Sequence, residues 1–114
     1  MKSLLVTLGT LLFFTLASAQ AAESPFVGTW DTDWGPLTIK VDGEKFTGEY
    51  KGPKFSGKIE GKVEDGKLKV VWKQTNAEWG SAIFKISDDG KQLLGTWGGA
   101  ESAINGGKWN GKRK

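Results

Sequence analysis

The sequence predicts an all-β protein: a single antiparallel up-and-down meander of about eight short strands, closed into a small barrel. Three observations predict this class. From Phe26 onward apolar residues recur with period two, as in half-buried strands. Asp-Gly and Asn-Gly pairs, which suit tight hairpins, separate the alternating runs. No segment has the helical period and length that a crossover between parallel strands needs.

The N-terminus has the three-part pattern of a secretory signal peptide. Lys2 precedes an apolar run over residues 4–16, and small residues follow at Ala17, Ala19 and Ala21. We therefore predict a signal peptide over residues 1–21, cleaved after Ala19 or Ala21, and a barrel domain over residues 22–114. The apolar run is shorter than the roughly 20 residues that cross a bilayer, so we expect no membrane span. The protein is predicted to be secreted, either periplasmic or extracellular.

The strands follow from the alternation and its interruptions. Turns are expected at four dipeptides: Asp42-Gly43, Asp65-Gly66, Asp89-Gly90 and Asn105-Gly106. Between them the sequence predicts strands near residues 26–33, 37–42, 45–51, 55–64, 67–74, 79–87, 91–98 and 106–112. A meander with one apolar face and no helix must curl onto itself or pair with another chain. Closure at about eight strands leaves an interior that side chains fill or that holds one small ligand.

A glycine two residues before an aromatic residue recurs along the chain. The pairs are Gly28 with Trp30, Gly48 with Tyr50, Gly95 with Trp97 and Gly107 with Trp109. This spacing puts both residues on one face of a strand, and an inward glycine leaves room for a ring from a neighbouring strand. The rings either fill the barrel or line a pocket, and the pattern alone leaves both interpretations open.

Two further tryptophans stand at predicted connections. Trp34 precedes Gly35-Pro36 at a turn, and Trp79 follows the polar segment 74–78, so each is expected at a barrel mouth, as a ligand surface or as a plug. The candidate ligand-binding residues are Trp30, Trp34, Tyr50, Trp72, Trp79 and Trp109.

Composition argues against several function classes. The chain has no histidine and no cysteine, which removes the commonest general base, the thiol nucleophile and the usual transition-metal ligands. We predict no catalytic residues, no metal and no cofactor, hence a protein that is not an enzyme; Asp31 and Asp33 are interpreted as solvated. The net charge is +3, or +2 without Lys2, too small to indicate a nucleic-acid partner. The basic C-terminus, residues 112–114, is interpreted as a solubilising tail or a contact for anionic surfaces.

Several segments resemble the avidin and streptavidin type of small β-barrel and, more loosely, the lipocalins, which are also calycin-type barrels. They occur in family order: Gly28-Thr29-Trp30, Thr47-Gly48-Glu49-Tyr50, Val71-Trp72-Lys73, and residues 98–105 leading to Trp109. The resemblance implies an eight-stranded barrel with a small molecule at its open end, with Tyr50, Trp72 and Trp109 in the pocket, and dimers or tetramers in biotin-binding members. This chain departs from the family where it has Thr32 and Pro36 in place of the ligand-gripping asparagine and serine. Biotin is therefore not the expected ligand.

Two functions compete at this stage. The first is a secreted binding protein that takes a small, partly apolar or sugar-like ligand at an aromatic-lined barrel mouth. The alternative is a protein-interaction module, such as an inhibitor of a secreted hydrolase or a cell-surface structural component, with loops 76–80 and 98–105 as the contact surface. The sequence leaves open whether the barrel also forms a homo-oligomer.

Overall fold

The protein is an all-β barrel, seen in a computed structural model that describes residues 24–114. The predicted signal peptide at residues 1–21 lies outside the described residues. The strands are β1 Gly28–Thr32, β2 Gly35–Asp42, β3 Lys45–Lys51, β4 Ser56–Glu64, β5 Lys67–Gln74, β6 Trp79–Ile86, β7 Gln92–Gly99, β8 Gly107–Lys108 and β9 Gly111–Arg113. Within residues 24–114 no helix is long and apolar enough to cross a membrane.

Sequential antiparallel pairing runs from β1 to β7, and the last part of the chain closes the barrel. β9 pairs with β7 on one side and with β1 on the other, so the sheet has no free edge at the seam. The predicted eight-stranded closed meander is thereby confirmed, with β8 and β9 as two parts of the predicted final strand. Closure removes the exposed edges that would otherwise template aggregation.

Between β8 and β9 a side-chain hydrogen bond takes the place of a main-chain bond in the ladder. It divides the final strand without a shift of register. Thr96 faces Lys108 and Leu93 faces Gly111, which is a single register against β7. Between these pairs the Gly95 N–H donates to the Asn110 side-chain oxygen at 3.1 Å instead of to a main-chain carbonyl. This exchange could not be predicted from the sequence, because the predicted final strand runs without a break through residues 106–112.

Three of the predicted hairpin turns lie at one end of the barrel. Asp65 and Gly66 both have positive φ, 53° and 77°, as a two-residue type I′ hairpin requires. This end holds connections 43–44, 65–66 and 87–91, and the ring of Phe26 meets that of Phe46 edge-to-face at 6.2 Å between centroids. We call it the closed end. The opposite end, the mouth, holds connections 33–34, 52–55, 75–78 and 100–106.

Aromatic rings facing glycines on the next strand organise the core. The register places each of five rings directly opposite a glycine: Phe46 with Gly61, Tyr50 with Gly57, Trp72 with Gly80, Phe84 with Gly95, and Trp97 with Gly107. A glycine leaves the space that the opposing ring occupies, which lets a narrow barrel close around large side chains. The buried apolar residues are Phe26, Trp30, Leu37, Ile39, Phe46, Tyr50, Ile59, Leu68, Val70, Trp72, Ala82, Phe84, Leu93 and Trp109.

Arg113 joins the chain ends at the closed end. Its guanidinium lies 4.2 Å from the centre of the Trp30 ring and donates to the carbonyls of Pro25, Val27 and Gly90. The interpretation of the whole C-terminus as a solubilising tail therefore needs correction at this residue. A planar guanidinium can stack on an indole and reach several acceptors at once, which is a structural role.

Candidate ligand-binding site

The structure divides the six predicted ligand-binding aromatics into a buried group and an exposed pair. Trp34 and Trp79 are 37% and 47% exposed. The other four are buried: Trp30, Tyr50, Trp72 and Trp109. The burial pattern therefore separates rings that support the core from rings that a ligand can reach.

Trp30 lies apart from the mouth. Its indole N–H donates to the Phe26 carbonyl at 3.1 Å, and Arg113 covers its ring. With no exposed surface and its one polar atom engaged, this side chain holds the N-terminal segment against the barrel.

Trp109 fills the lumen between two other rings. Its ring meets Tyr50 and Phe84 edge-to-face, with 5.1 Å between centroids in each case. Its N–H donates to the Thr32 hydroxyl at 3.0 Å, and that hydroxyl also donates to the Gly35 carbonyl. Thr32 thus holds a tryptophan of the core. The arrangement leaves Trp109 with no free face for a ligand.

Tyr50 is the only tyrosine of the chain and lies just inside the mouth. Its hydroxyl donates to the side-chain oxygen of Gln74 at 3.1 Å, and burial raises its pKa to about 12. Desolvation disfavours the phenolate, so the group is neutral at physiological pH. The neutral hydroxyl thus acts as a hydrogen-bond donor just inside the mouth.

Trp34 and Trp97 form an aromatic platform at the mouth, which we call the mouth shelf. Their rings meet edge-to-face with 5.5 Å between centroids, and Trp97 in turn contacts Trp72 at 5.9 Å. Trp72 is fixed from below because its N–H lies 3.2 Å from the carbonyls of both Ser81 and Gly98. The shelf thus rests on a ring that the core holds in place, which preorganises it for binding.

The indole N–H groups of the shelf are free to donate. Within residues 24–114 neither Trp34 nor Trp97 uses its side-chain nitrogen in a hydrogen bond, whereas Trp30, Trp72 and Trp109 all do. A partly exposed ring with an unused N–H offers both an apolar face and a directional donor. The shelf is therefore the part of the mouth that presents aromatic surface together with indole N–H donors that have no acceptor among residues 24–114.

Connection 100–106 borders the shelf and is held by its own side chains. The Asn105 side-chain oxygen accepts from the Gly99 N–H at 3.0 Å, and the Ser102 hydroxyl accepts from the Ile104 and Asn105 amides. Trp97 lies over Gly106, where an added Cβ would come within 2.5 Å of the ring. Gly106 therefore lets the chain pass directly beneath the indole.

Trp79 lies at the mouth end but on the outer wall. It is paired with Lys73 in the register, and the inward positions of β6 belong to Gly80, Ala82 and Phe84. The structure therefore does not bring Trp79 into the mouth shelf. It places this ring beside Lys73 of β5.

The two aspartates near the start of the barrel, Asp31 and Asp33, lie outside any metal-binding cluster of the described residues. No group of three or more His, Cys, Asp or Glu within residues 24–114 is placed to hold a metal ion. Asp31 and Asp33 are both exposed, and an Asp33 carboxylate oxygen accepts from the Asn110 N–H at 2.9 Å, which fixes the mouth end of β1 to the final strand.

Trp97 belongs to the mouth shelf but was not among the candidate residues predicted from the sequence. The signal was present, because Trp97 follows Gly95 at the same spacing as the other motif rings and precedes a glycine-rich connection. What could not be read from the sequence is that Trp34 folds onto it. Comparisons of the chain with protein-family models, curated proteins and solved structures found no match.

Proposed function

We propose that this protein is a secreted, non-enzymatic binding protein whose small, sugar-like or partly apolar ligand rests on the mouth shelf. The observation that carries the proposal is the Trp34–Trp97 pair, with partly exposed rings, unused indole N–H groups and a rigid support beneath. Pyranose rings present apolar C–H faces together with hydroxyl acceptors, which match an indole face and an indole N–H.

The proposed ligand lies at the rim rather than in the lumen. The resemblance to avidin and the lipocalins would put a ligand deeper, against Tyr50, Trp72 and Trp109. Tyr50 and Trp109 pack against each other, Trp97 packs against Trp72, and the polar atoms of all three buried side chains are engaged within the barrel. A shallow site favours modest affinity and short glycans or amphiphiles, since little ligand surface can be buried there.

The test is a titration of intrinsic fluorescence with a panel of neutral oligosaccharides and short-chain amphiphiles. For any compound that binds, Trp34→Ala is expected to weaken binding by about tenfold, the equivalent of one aromatic contact. Trp79→Ala is the matched control, because it removes another exposed tryptophan at the same end of the barrel. If a compound that binds the wild type binds Trp34→Ala equally well, the mouth shelf is not a ligand site. The same conclusion holds if no compound of the panel changes the fluorescence.

One observation favours the protein-interaction alternative. Ile104 projects from connection 100–106 with 73% of its surface exposed, which is unusual for a large aliphatic residue that has no partner. If this connection contacts a protein, a defined partner should co-purify from culture supernatant in stoichiometric amount. Ile104→Ser should abolish the association without altering the unfolding midpoint.

A further inference from the structure

The outer wall of β2 to β5 carries a shallow groove that is separate from the mouth shelf. Its volume is about 1030 Å³, and four lysines line it: Lys40, Lys51, Lys58 and Lys73. Glu49 and Glu60 lie in the same groove, and Glu60 is bound to Lys45 at 3.3 Å. None of the four lysines forms an ion pair with a carboxylate among residues 24–114. Glu49 on β3 is directly opposite Lys58 but is not within ion-pair distance of it, so the groove has more lysine than carboxylate charge.

Two of these lysines face each other across neighbouring strands. Lys58 on β4 is directly opposite Lys73 on β5, a pairing of like charges that destabilises a sheet. The barrel contains the same pairing a few residues along, where Lys62 faces Lys69. There the Glu64 carboxylate bridges both ammonium groups, at 3.5 Å and 3.4 Å.

In the described part of the chain, the Lys58–Lys73 pair lacks the bridging carboxylate that the Lys62–Lys69 pair has. The ammonium groups of Lys62 and Lys69 lower the pKa of Glu64, so its carboxylate is charged and stabilises the pair. No carboxylate of the described chain bridges Lys58 and Lys73 in this way. An external carboxylate at this position would fill the role that Glu64 fills for the other pair.

An exposed aromatic ring continues the row. Trp79 on β6 is directly opposite Lys73, and Val71 on the same wall is also exposed. From Trp79 through Lys73 to Lys58 the row crosses two strand spacings, about 10 Å in all. The register partner of Lys58 on β3 is Glu49, and Lys51, two residues further along that strand on the same face, extends the row diagonally. This is the span of a short chain of ligand units rather than of one ion. Each unit would need an anionic group together with a face that can stack on indole.

We propose that the row Lys51, Lys58, Lys73 and Trp79 binds a carboxylated polysaccharide, with uronic-acid carboxylates on the lysines and one sugar face on Trp79. The row has a single ring, Trp79, whereas single-stranded nucleic acids are held by stacking successive bases on several aromatic side chains, which disfavours a phosphodiester chain. The small net charge of the protein argues in the same direction. This inference is independent of the mouth shelf, since none of its residues belongs to that site.

The test measures binding of the secreted protein to polygalacturonate and to the same polymer with its carboxyl groups reduced. Binding that depends on Lys58 and Lys73 is expected with the carboxylated polymer only, and it should weaken as salt is raised from 50 to 500 mM, since salt screens interactions between exposed charges. The double variant Lys58→Gln with Lys73→Gln should lose at least tenfold in affinity. Trp79→Ala should lose several-fold.

The matched control is the double variant Lys62→Gln with Lys69→Gln, which removes the same charge from the pair that Glu64 already neutralises. It is expected to change affinity by less than threefold. An equal loss in both double variants would show that net charge alone is responsible and would overturn the proposal. Equal binding of the reduced polymer, or tighter binding of single-stranded DNA of matched length, would also overturn it. Circular dichroism of each variant establishes that the barrel is folded.

Discussion

Replacing Gly95 by alanine is expected to destabilise the barrel by about 3 kcal/mol, at the upper end of the usual range for an overpacked core. An added Cβ would lie 2.5 Å from the Phe84 ring and 2.8 Å from the carbonyl oxygens of both Ile83 and Trp109. The ring could move only into other rings, and the two oxygens belong to the ladders that hold β7. Chemical denaturation followed by tryptophan fluorescence measures the change.

Gly99→Ala provides the control for this prediction. Gly99 ends the same strand, and an added Cβ there meets no atom within 4 Å. Its unfolding free energy should stay within about 0.5 kcal/mol of the wild type, as for surface substitutions without special contacts. If Gly95→Ala changed the unfolding free energy equally little, the ring of Phe84 would not need the space that Gly95 leaves, contrary to the packing described.

Arg113→Ala is expected to lower the free energy of unfolding by about 2 kcal/mol. The change removes hydrogen bonds from a charged group to the carbonyls of Pro25, Val27 and Gly90, and uncovers the ring of Trp30. Because two of these acceptors, Pro25 and Val27, lie in the segment that leads into β1, the loss should also increase amide exchange around residues 25–30.

Two variants isolate the cause of that loss. Arg113→Lys keeps the charge but lacks the planar set of donors. It should therefore restore less than half of the stability that Arg113→Ala loses. Lys112→Ala, one residue earlier and also exposed, should be nearly neutral. Full recovery in Arg113→Lys would mean that charge alone is sufficient, contrary to the contacts described.

The strands and the closure could be predicted because period two and the turn dipeptides are local properties of the chain. The alternation in β3 and β5 places every second residue inside, and Asp65-Gly66 adopts the backbone that the pair suggests. The role of Arg113 could not be predicted in this way. Its acceptors at Pro25 and Val27 are 88 and 86 residues away in sequence, and only the closed barrel brings them together.

The candidate site was harder to predict for a related reason. Alternation identifies inward rings but says nothing about depth, so Tyr50, Trp72 and Trp109 have the same pattern whether they line a pocket or fill the core. What decides is the partner of each polar atom, such as the Thr32 hydroxyl for Trp109. Trp79 could not be placed either, since a ring at the start of a strand faces inward or outward according to the register.

Proton exchange of the six indole N–H groups tests the central claim, that a filled lumen confines ligands to the rim and the outer wall. In ¹H–¹⁵N spectra recorded after transfer to D₂O, the indole signals of Trp30, Trp72 and Trp109 should persist, because each N–H is buried and donates within the barrel. Those of Trp34, Trp79 and Trp97 should vanish quickly. Loss of the Trp72 and Trp109 signals at the rate of Trp79 would mean a lumen open to water, and would contradict the account.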